Sequence, residues 1–451
     1  MNAYALVKQR FIDRFAEKER GIVGVELEFP LLNAAKKPVE ESVANGLLSH
    51  FLRNGFQTEE TTRNGTGAFI ANACGDVLSF DNSYNNFEFA LRHGDDLCAI
   101  ARRFYGYFNT AQNFLKQHNH LLTGMGLHPY RRVLTPSHVD YPVYNMVDGY
   151  LRGFPARHNA PDFPAYVSSA QTHLDVNLRE LPAAATLFAR LDFVRAALFS
   201  NAAVWDAESP ASVPRGVLPS GIVPDGSTPE VLCYRDFLWE GSAFPNTGKV
   251  DETYRSVDDV IQSFLNRKMF NKLRGGQYAA FSPVPLGQYF ENAEYGAKAR
   301  DIEQFLSFRN IEITARGTLE VRSDCAQPLC AAFAPAAFSL GLLYRIEDAE
   351  NLLKNILPHV TTTALRNRVI TSQTRQDDGV PPDFALRFVQ LAERGLKQRG
   401  KGEEQFLSPL YERARRGVCP ARETLTRLKN GEPIEAVIAD YSDPGDSSVS
   451  S

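Results

Sequence analysis

Several glutamates in this chain stand two residues apart inside apolar runs. In Val23-Gly24-Val25-Glu26-Leu27-Glu28-Phe29, Glu26 and Glu28 alternate with Val25, Leu27 and Phe29. Alternate residues of a strand point to one face, so both carboxylates share a face about 7 Å apart. Asn86-Phe87-Glu88-Phe89 sets Asn86 and Glu88 together in the same way. In residues 172–178, His173, Asp175 and Asn177 oppose Leu174, Val176 and Leu178. Residues 311–323 give the longest run, with Glu312, Thr314, Arg316, Thr318, Glu320 and Arg322 opposite Ile311, Ile313, Ala315, Leu319 and Val321.

Carboxylates gathered on one face repel one another unless something positive sits between them. Oxygen ligands drawn from several strands suit Mg²⁺ or Mn²⁺, and interspersed arginines suit phosphate oxygens. A solvated antiparallel sheet also alternates, but its wet face usually mixes Thr, Lys, Ser and Gln. These four segments carry carboxylates, a histidine and arginines, and no lysine. The chemistry implied is a sheet face that holds ATP through divalent metals, with a solvated face as the alternative. No GxxxxGK[ST] is present; Gly241 to Lys249 has the wrong spacing, and Val250 follows the lysine. GxGxxG, HExxH and GxSxG are also missing. Use of ATP would therefore lie outside the Walker and Rossmann families.

The elements that must position these residues alternate helix and strand. The pattern predicts helices over 3–20, 38–53, 95–119, 181–203 and 256–269, with strands over 21–29, 169–179 and 310–323. Apolar helical sequence follows over 328–356, and charged helices run from 364 to about 440. The Pro- and Gly-rich stretch 209–228 is long for a structureless loop and reads as a lid, and Arg274-Gly275-Gly276-Gln277 reads as a second mobile segment. The tail, 442–451, reads as disordered.

Composition narrows the class. With 451 residues, 43% hydrophobic and 23% charged, the chain is an ordinary globular protein, not a fibre, coiled coil or disordered polymer. No uncharged apolar run reaches about 18 residues, so no transmembrane helix is expected. The charged N-terminal segment is no secretory signal, and a cytoplasmic location follows as an expectation. A net charge of −4 gives no electrostatic reason to expect nucleic acid. The six cysteines form no CxxC pair. Cys325 and Cys330 are close enough to suggest a redox pair, but buried small residues at a strand-to-helix junction are the simpler reading.

Together these stretches resemble the glutamate–cysteine ligase family, within the glutamine-synthetase-like carboxylate–amine ligases. Gly24-Val25-Glu26-Leu27-Glu28 looks like the family's opening G-x-E-x-E strand, Asn86–Phe89 like its next Glu-bearing strand, and Thr318–Ser323 like its Glu-x-Arg strand. Tyr144 to Tyr150, the strand around His173, and Tyr234–Trp239 follow in the family's order. The likeness spans about residues 20–345.

The resemblance implies an α+β fold: a curved, mainly antiparallel sheet forming a funnel-shaped site, with helices packed outside. It implies a catalytic domain over 1–360; the C-terminal helical segment over 361–441, expected to pack on that domain, has no part in the resemblance. It also implies an ATP-dependent ligase that joins the γ-carboxylate of glutamate to the amino group of cysteine through a γ-glutamyl phosphate, with ATP and Mg²⁺ or Mn²⁺ as cofactors. Glu26, Glu28, Glu88 and Glu320 fall on metal-binding carboxylates. His173 falls on a metal- or ATP-contacting position, Arg322 on a phosphate-facing arginine, and Arg235 near an arginine that holds substrate carboxylate. Asp81 is a weaker match, and both Asp81 and Asp76 compete with Glu88 in the same region. Leu27 between the opening glutamates, and Ser323-Asp324-Cys325 after the Glu-x-Arg strand, depart from the plant-like pattern. A non-cysteine amino acid or amine acceptor is therefore the rival within the same chemistry, and a non-catalytic nucleotide-binding protein the rival outside it. The expected partners are small molecules, with no nucleic acid and no membrane, and the oligomeric state stays open.

Overall fold

Val23, Val25, Leu27, Phe29 and Leu31 alternate along one strand, and all five are buried in the main core. A computed structural model describes residues 2–63, 65–131, 138–154, 160–204, 230–356, 362–371 and 383–444. Its strands in chain order are β1 Val23–Asn33, β2 Phe56–Thr61, β3 Gly67–Asn72, β4 Val77–Phe80, β5 Asn86–Gly94, β6 His120–Leu122 and β7 Ser169–Leu174. There follow β8 Thr247–Gly248, β9 Lys268–Arg274, β10 Gln277–Pro285, β11 Phe308–Arg309, β12 Ile311–Ile313 and β13 Leu319–Cys325.

Nine strands form one open sheet in the order β12-β13-β7-β1-β5-β4-β3-β2, with β6 paired to the end of β1. Every pair in it is antiparallel. The expected mix of helices and mainly antiparallel sheet is what the molecule has, and the sheet does not close into a barrel. Its centre, β1, lies between β5 and β7, so the opening glutamates sit in the middle of the sheet.

One face of this sheet is covered by helices. Leu97–Gln117 buries Phe104, Phe108, Ala111 and Leu115 at helical spacing, and Asp96 caps its first turn by accepting from the Ala99 amide at 3.0 Å. Phe104 and Phe108 lie against Phe29 and Phe89 with ring centroids 5.1–6.1 Å apart, the separations at which aromatic pairs attract. The helix Phe384–Arg399 crosses Ala334–Leu343 at two glycines. A Cβ on Gly395 would lie 2.0 Å from the Gly341 carbonyl oxygen, so the backbones touch there. Ile434–Tyr441 packs Val437, Ile438 and Tyr441 on Leu32 and Met125. Among the described residues no single helix is long and apolar enough to cross a membrane.

Several expectations are corrected. The run 310–323 is not one strand but the hairpin β12–β13, which reverses at Arg316-Gly317, where Gly317 takes φ 75°. The strand expected over 169–179 stops at Leu174. Asp175 instead pairs with Lys18, and the Asn177 side chain accepts from the Arg179 and Glu180 amides to start the next helix. That helix breaks at Leu191 into Leu181–Arg190 and Asp192–Phe199. Gly275 and Gly276 form the tip of the β9–β10 hairpin, both with positive φ. The stretch 209–228 and the tail from 445 lie outside the described residues.

Candidate functional site

The face of β1 away from the core carries Gly24, Glu26 and Glu28. Register places their neighbours. Glu28 stands directly opposite Glu88 of β5, Glu26 opposite Gln171 of β7, and Glu320 of β13 opposite His173 of β7. Four strands thus bring all four expected glutamates and the histidine onto one sheet face.

There the side chains form two clusters. Ligand atoms of Glu26, His173 and Glu320 all lie within 4.8 Å of one another, as do those of Glu28, Asp81 and Glu88. His173 Nε2 is 3.1 Å from Glu26 Oε1 and 3.8 Å from Glu320 Oε1. Its Nδ1 meets the Thr318 hydroxyl at 3.1 Å. Gly24 makes room for the ring, because a Cβ there would lie 3.3 Å from His173 Cβ. Asp81 follows β4 and joins the second cluster, whereas Asp76 is fully buried with Arg103 and Tyr107 and does not. His173 shares its face with Gln171 and Ser169, not with Asp175 and Asn177 as the longer strand implied.

Glu28 is held by four donors. Oε1 accepts from Ser169 Oγ at 2.7 Å and Gln171 Nε2 at 2.9 Å, and Oε2 from the Ser169 amide at 2.8 Å and Asn86 Nδ2 at 3.2 Å. Asn86 was already placed beside Glu88 by the strand pattern, but Ser169 and Gln171 were not singled out from the sequence. Their signal was the alternation Ser169, Gln171, His173 along β7.

Arg322 reaches the site through a bulge. The β13–β7 register jumps from Val321↔Thr172 to Asp324↔Ala170, so Arg322 and Ser323 both oppose Gln171. Its guanidinium bonds Glu320 and lies over the Phe308 ring. Arg316, at the exposed hairpin tip, donates to Glu26 at 3.1 Å.

The charges set one another's protonation. Burial acts to raise the Glu26 carboxyl, but His173, Arg316 and Arg322 outweigh it and hold it well below the usual carboxylate range. Burial acts to lower His173, but Glu26 and Glu320 raise it. Burial and then Glu28 push Asp81 up to about 7. Burial, Glu26, Asp81 and Glu28 push Glu88 well up. Burial disfavours the Arg322 charge, yet Glu320 and Glu26 more than restore it. One cluster is thus an ion-paired set, and the other holds carboxyls that keep protons which a cation would displace. Oxygen donors with a single imidazole fit Mg²⁺ or Mn²⁺.

Arg235 lies outside both clusters. It sits on the helix Tyr234–Glu240 and donates to the Arg322 carbonyl at 3.2 Å. It lines a small cavity of about 40 Å³ together with Arg322, Asn310 and Ser323, and with Asp236 and Glu240, which are themselves paired with Arg366 and Lys249. Asn310 Nδ2 and Ser323 Oγ are buried there with no hydrogen-bond partner, and no carboxylate stands within ion-pair distance of Arg235 among the described residues. A buried guanidinium beside unpaired donors suits a carboxylate. Cys325 does not face Cys330; its sulfur is 3.5 Å from Cys233 Sγ, and both are buried, while Cys330 is exposed.

A family model described as glutamate-cysteine ligase family 2 (GCS2) matches residues 22–440. Chloroplastic glutamate–cysteine ligase of Brassica juncea is 28% identical over 222 residues, covering 45% of this chain and 41% of that protein. The Nicotiana tabacum enzyme of the same name is 32% identical over 155 residues, 34% of this chain and 28% of that protein. The matched region thus spans less than half the length of these relatives. A bifunctional glutathione synthetase from Pasteurella multocida shares the fold with a TM-score of 0.53 at 12% identity, over 98% of this chain and 53% of that one.

Proposed function

The chain belongs to glutamate–cysteine ligase family 2, and on that premise we propose that it is an ATP-dependent ligase that forms a γ-glutamyl amide bond, with cysteine as the acceptor. The observation that carries this reading is the convergence of Glu26, Glu28, Asp81, Glu88, Glu320, His173 and Arg322 on one sheet face. A solvated strand face has no need of two carboxylate clusters with an arginine bulged in beside them.

In the reaction proposed, a γ-carboxylate oxygen of glutamate attacks the γ-phosphorus of ATP and the bond to ADP breaks. The acceptor nitrogen then attacks the acyl carbon of γ-glutamyl phosphate, phosphate leaves, and the nitrogen loses a proton. Bound divalent cations would neutralise charge on the ATP phosphate oxygens. Glu26, His173 and Glu320 would hold one, and Glu28, Asp81 and Glu88 another. Arg322, fixed by Glu320 and the bulge, would stabilise charge on the transferring phosphoryl group. Arg235, Asn310 and Ser323 would seat a substrate carboxylate and hold the glutamate still.

The test offers the purified chain ATP, Mg²⁺ and glutamate with cysteine and a panel of other amino acids and amines, and records ADP. Release with cysteine well above the amine-free rate is expected. Background rates with cysteine and a high rate with another amine would move the acceptor; background rates throughout would remove the ligase.

A further inference from the structure

The helix Tyr234–Glu240 presents Arg235 to the small cavity, yet two of its own seven residues are acids that line the same cavity, Asp236 and Glu240. An uncompensated carboxylate in so narrow a wall repels a carboxylate ligand. Both acids are answered through one element, the helix Thr362–Ile370 of the C-terminal segment. Its Arg366 is 3% exposed and pairs with Asp236 and with Asp192, the first residue of the helix Asp192–Phe199. The next residue, Asn367, accepts from Lys249 Nζ at 2.8 Å, and that nitrogen lies 3.0 Å from Glu240 Oε1. At the end of the same helix the Ile370 carbonyl accepts from the Leu232 amide at 2.7 Å, two residues before the Arg235 helix begins. Arg366 also lines the cavity, whereas Asp192 does not. With Arg366 in place Asp236 is spent, and Arg235 has no carboxylate partner among the described residues. Without it, a buried negative charge would stand in the cavity wall beside the place a substrate carboxylate takes.

We propose that Arg366 is a positioning residue for the substrate carboxylate: it acts through Asp236, whose charge it neutralises, so that the positive charge of Arg235 is left to the ligand. The inference rests on the reading of Arg235, Asn310 and Ser323 as the carboxylate seat. A residue beyond 360 thereby completes a site whose other members lie before it in the chain.

The test is isothermal titration calorimetry of the full chain with glutamate in Mg²⁺, and separately with a non-hydrolysable ATP analogue. Arg366→Met keeps an unbranched side chain and deletes the charge. It is expected to weaken glutamate binding about tenfold or more, the size of coupling between neighbouring charged groups, with affinity for the ATP analogue unchanged. Adding Asp236→Asn to Arg366→Met removes the stranded charge and should restore most of the loss. Asp192→Asn breaks the other arm of the ion-paired set, away from the cavity, and should lower stability without moving glutamate affinity. Wild-type glutamate affinity in Arg366→Met overturns the proposal. An equal loss of nucleotide affinity overturns it too, as does a loss that Asp236→Asn leaves in place. Should Arg366→Met not fold, Asp192→Asn combined with Arg366→Met leaves Asp236 as the one stranded carboxylate of the pair and decides in the same way. A wild-type chain that binds no glutamate removes the carboxylate seat and the inference with it. Equal glutamate binding by wild type and Arg366→Met removes the inference and leaves the seat standing.

Discussion

Glu28 and Glu88 face each other in register across the β1–β5 pair, and Asp81 closes the group with ligand atoms within 4.8 Å. Burial and the neighbouring carboxylates raise Asp81 from 3.8 to about 7. The folded chain therefore keeps a proton there that the unfolded chain releases near pH 3.8. A raised acid binds more protons folded than unfolded, so its contribution to stability falls as pH rises from about 4 through about 7. A divalent cation relieves the repulsion that causes this. The gap in thermal midpoint between Mg²⁺ and EDTA should widen as pH rises through that window, and Asp81→Asn should narrow the change. A gap constant with pH would refute the assignment.

The two opening glutamates should fail differently. Glu28→Ala leaves four donors without an acceptor, two of them on the Ser169 backbone and hydroxyl. A loss of about 2–4 kcal/mol in stability is expected, since each buried donor left unpaired costs about 1 kcal/mol or more. Glu26→Ala releases His173 and the exposed Arg316 and takes away a charge that Arg322 faces, but it also relieves the repulsion that Glu26 exerts on Glu88 and Asp81. These effects oppose each other, so the stability loss should be smaller than that of Glu28→Ala, while Mn²⁺ binding weakens at least about tenfold. Denaturant melts and Mn²⁺ titrations of both variants check this, and equal stability losses would contradict the division of roles.

Gly24→Ala probes the space around His173. The added Cβ meets His173 Cβ at 3.3 Å, so the ring must give by a few tenths of an ångström. Folding should survive and Mn²⁺ affinity should fall about tenfold, because ligands must stay close to the productive geometry. Unchanged affinity would show that the ring position is not limiting.

Much of this site was legible because β-strands have a period of two. That period set Glu26 with Glu28, and Glu320 with Arg322, on one face of their own strands, while the grouping of these strands with Glu88 at one site came from the family resemblance. What could not be read was where each run stops. Residues 311–323 alternate without a break in pattern, yet Gly317 alone allows the left-handed turn that folds them into β12 and β13. The same limit put Asp175 and Asn177 beside His173, when Lys18 and the following helix claim them. The strands β2, β3 and β4 pair with their chain neighbours but went unread because they are only four to six residues long and give little period-two signal, and β6 is three residues whose partner, β1, is far away in the chain. Gln171 was missed because an uncharged residue on a strand gives no signal until its partners are known.

Arg195 and Asp324 form a buried ion pair behind β13, and Arg195 also donates to Ser339 Oγ at 2.9 Å. Removing one partner strands the other charge in the core. Arg195→Ala should cost about 3–5 kcal/mol, read as a shift in denaturant midpoint. A loss below about 1 kcal/mol would place the pair with solvent-screened surface bridges.

The chemistry itself is best tested with glutamate carrying ¹⁸O in its γ-carboxylate. If that oxygen bridges to phosphorus, phosphate released during amide formation carries one ¹⁸O derived from glutamate, seen by mass spectrometry. Labelled phosphate in step with product is the result expected of a γ-glutamyl phosphate ligase. Phosphate released without label while product accumulates would show that these carboxylates serve some other reaction.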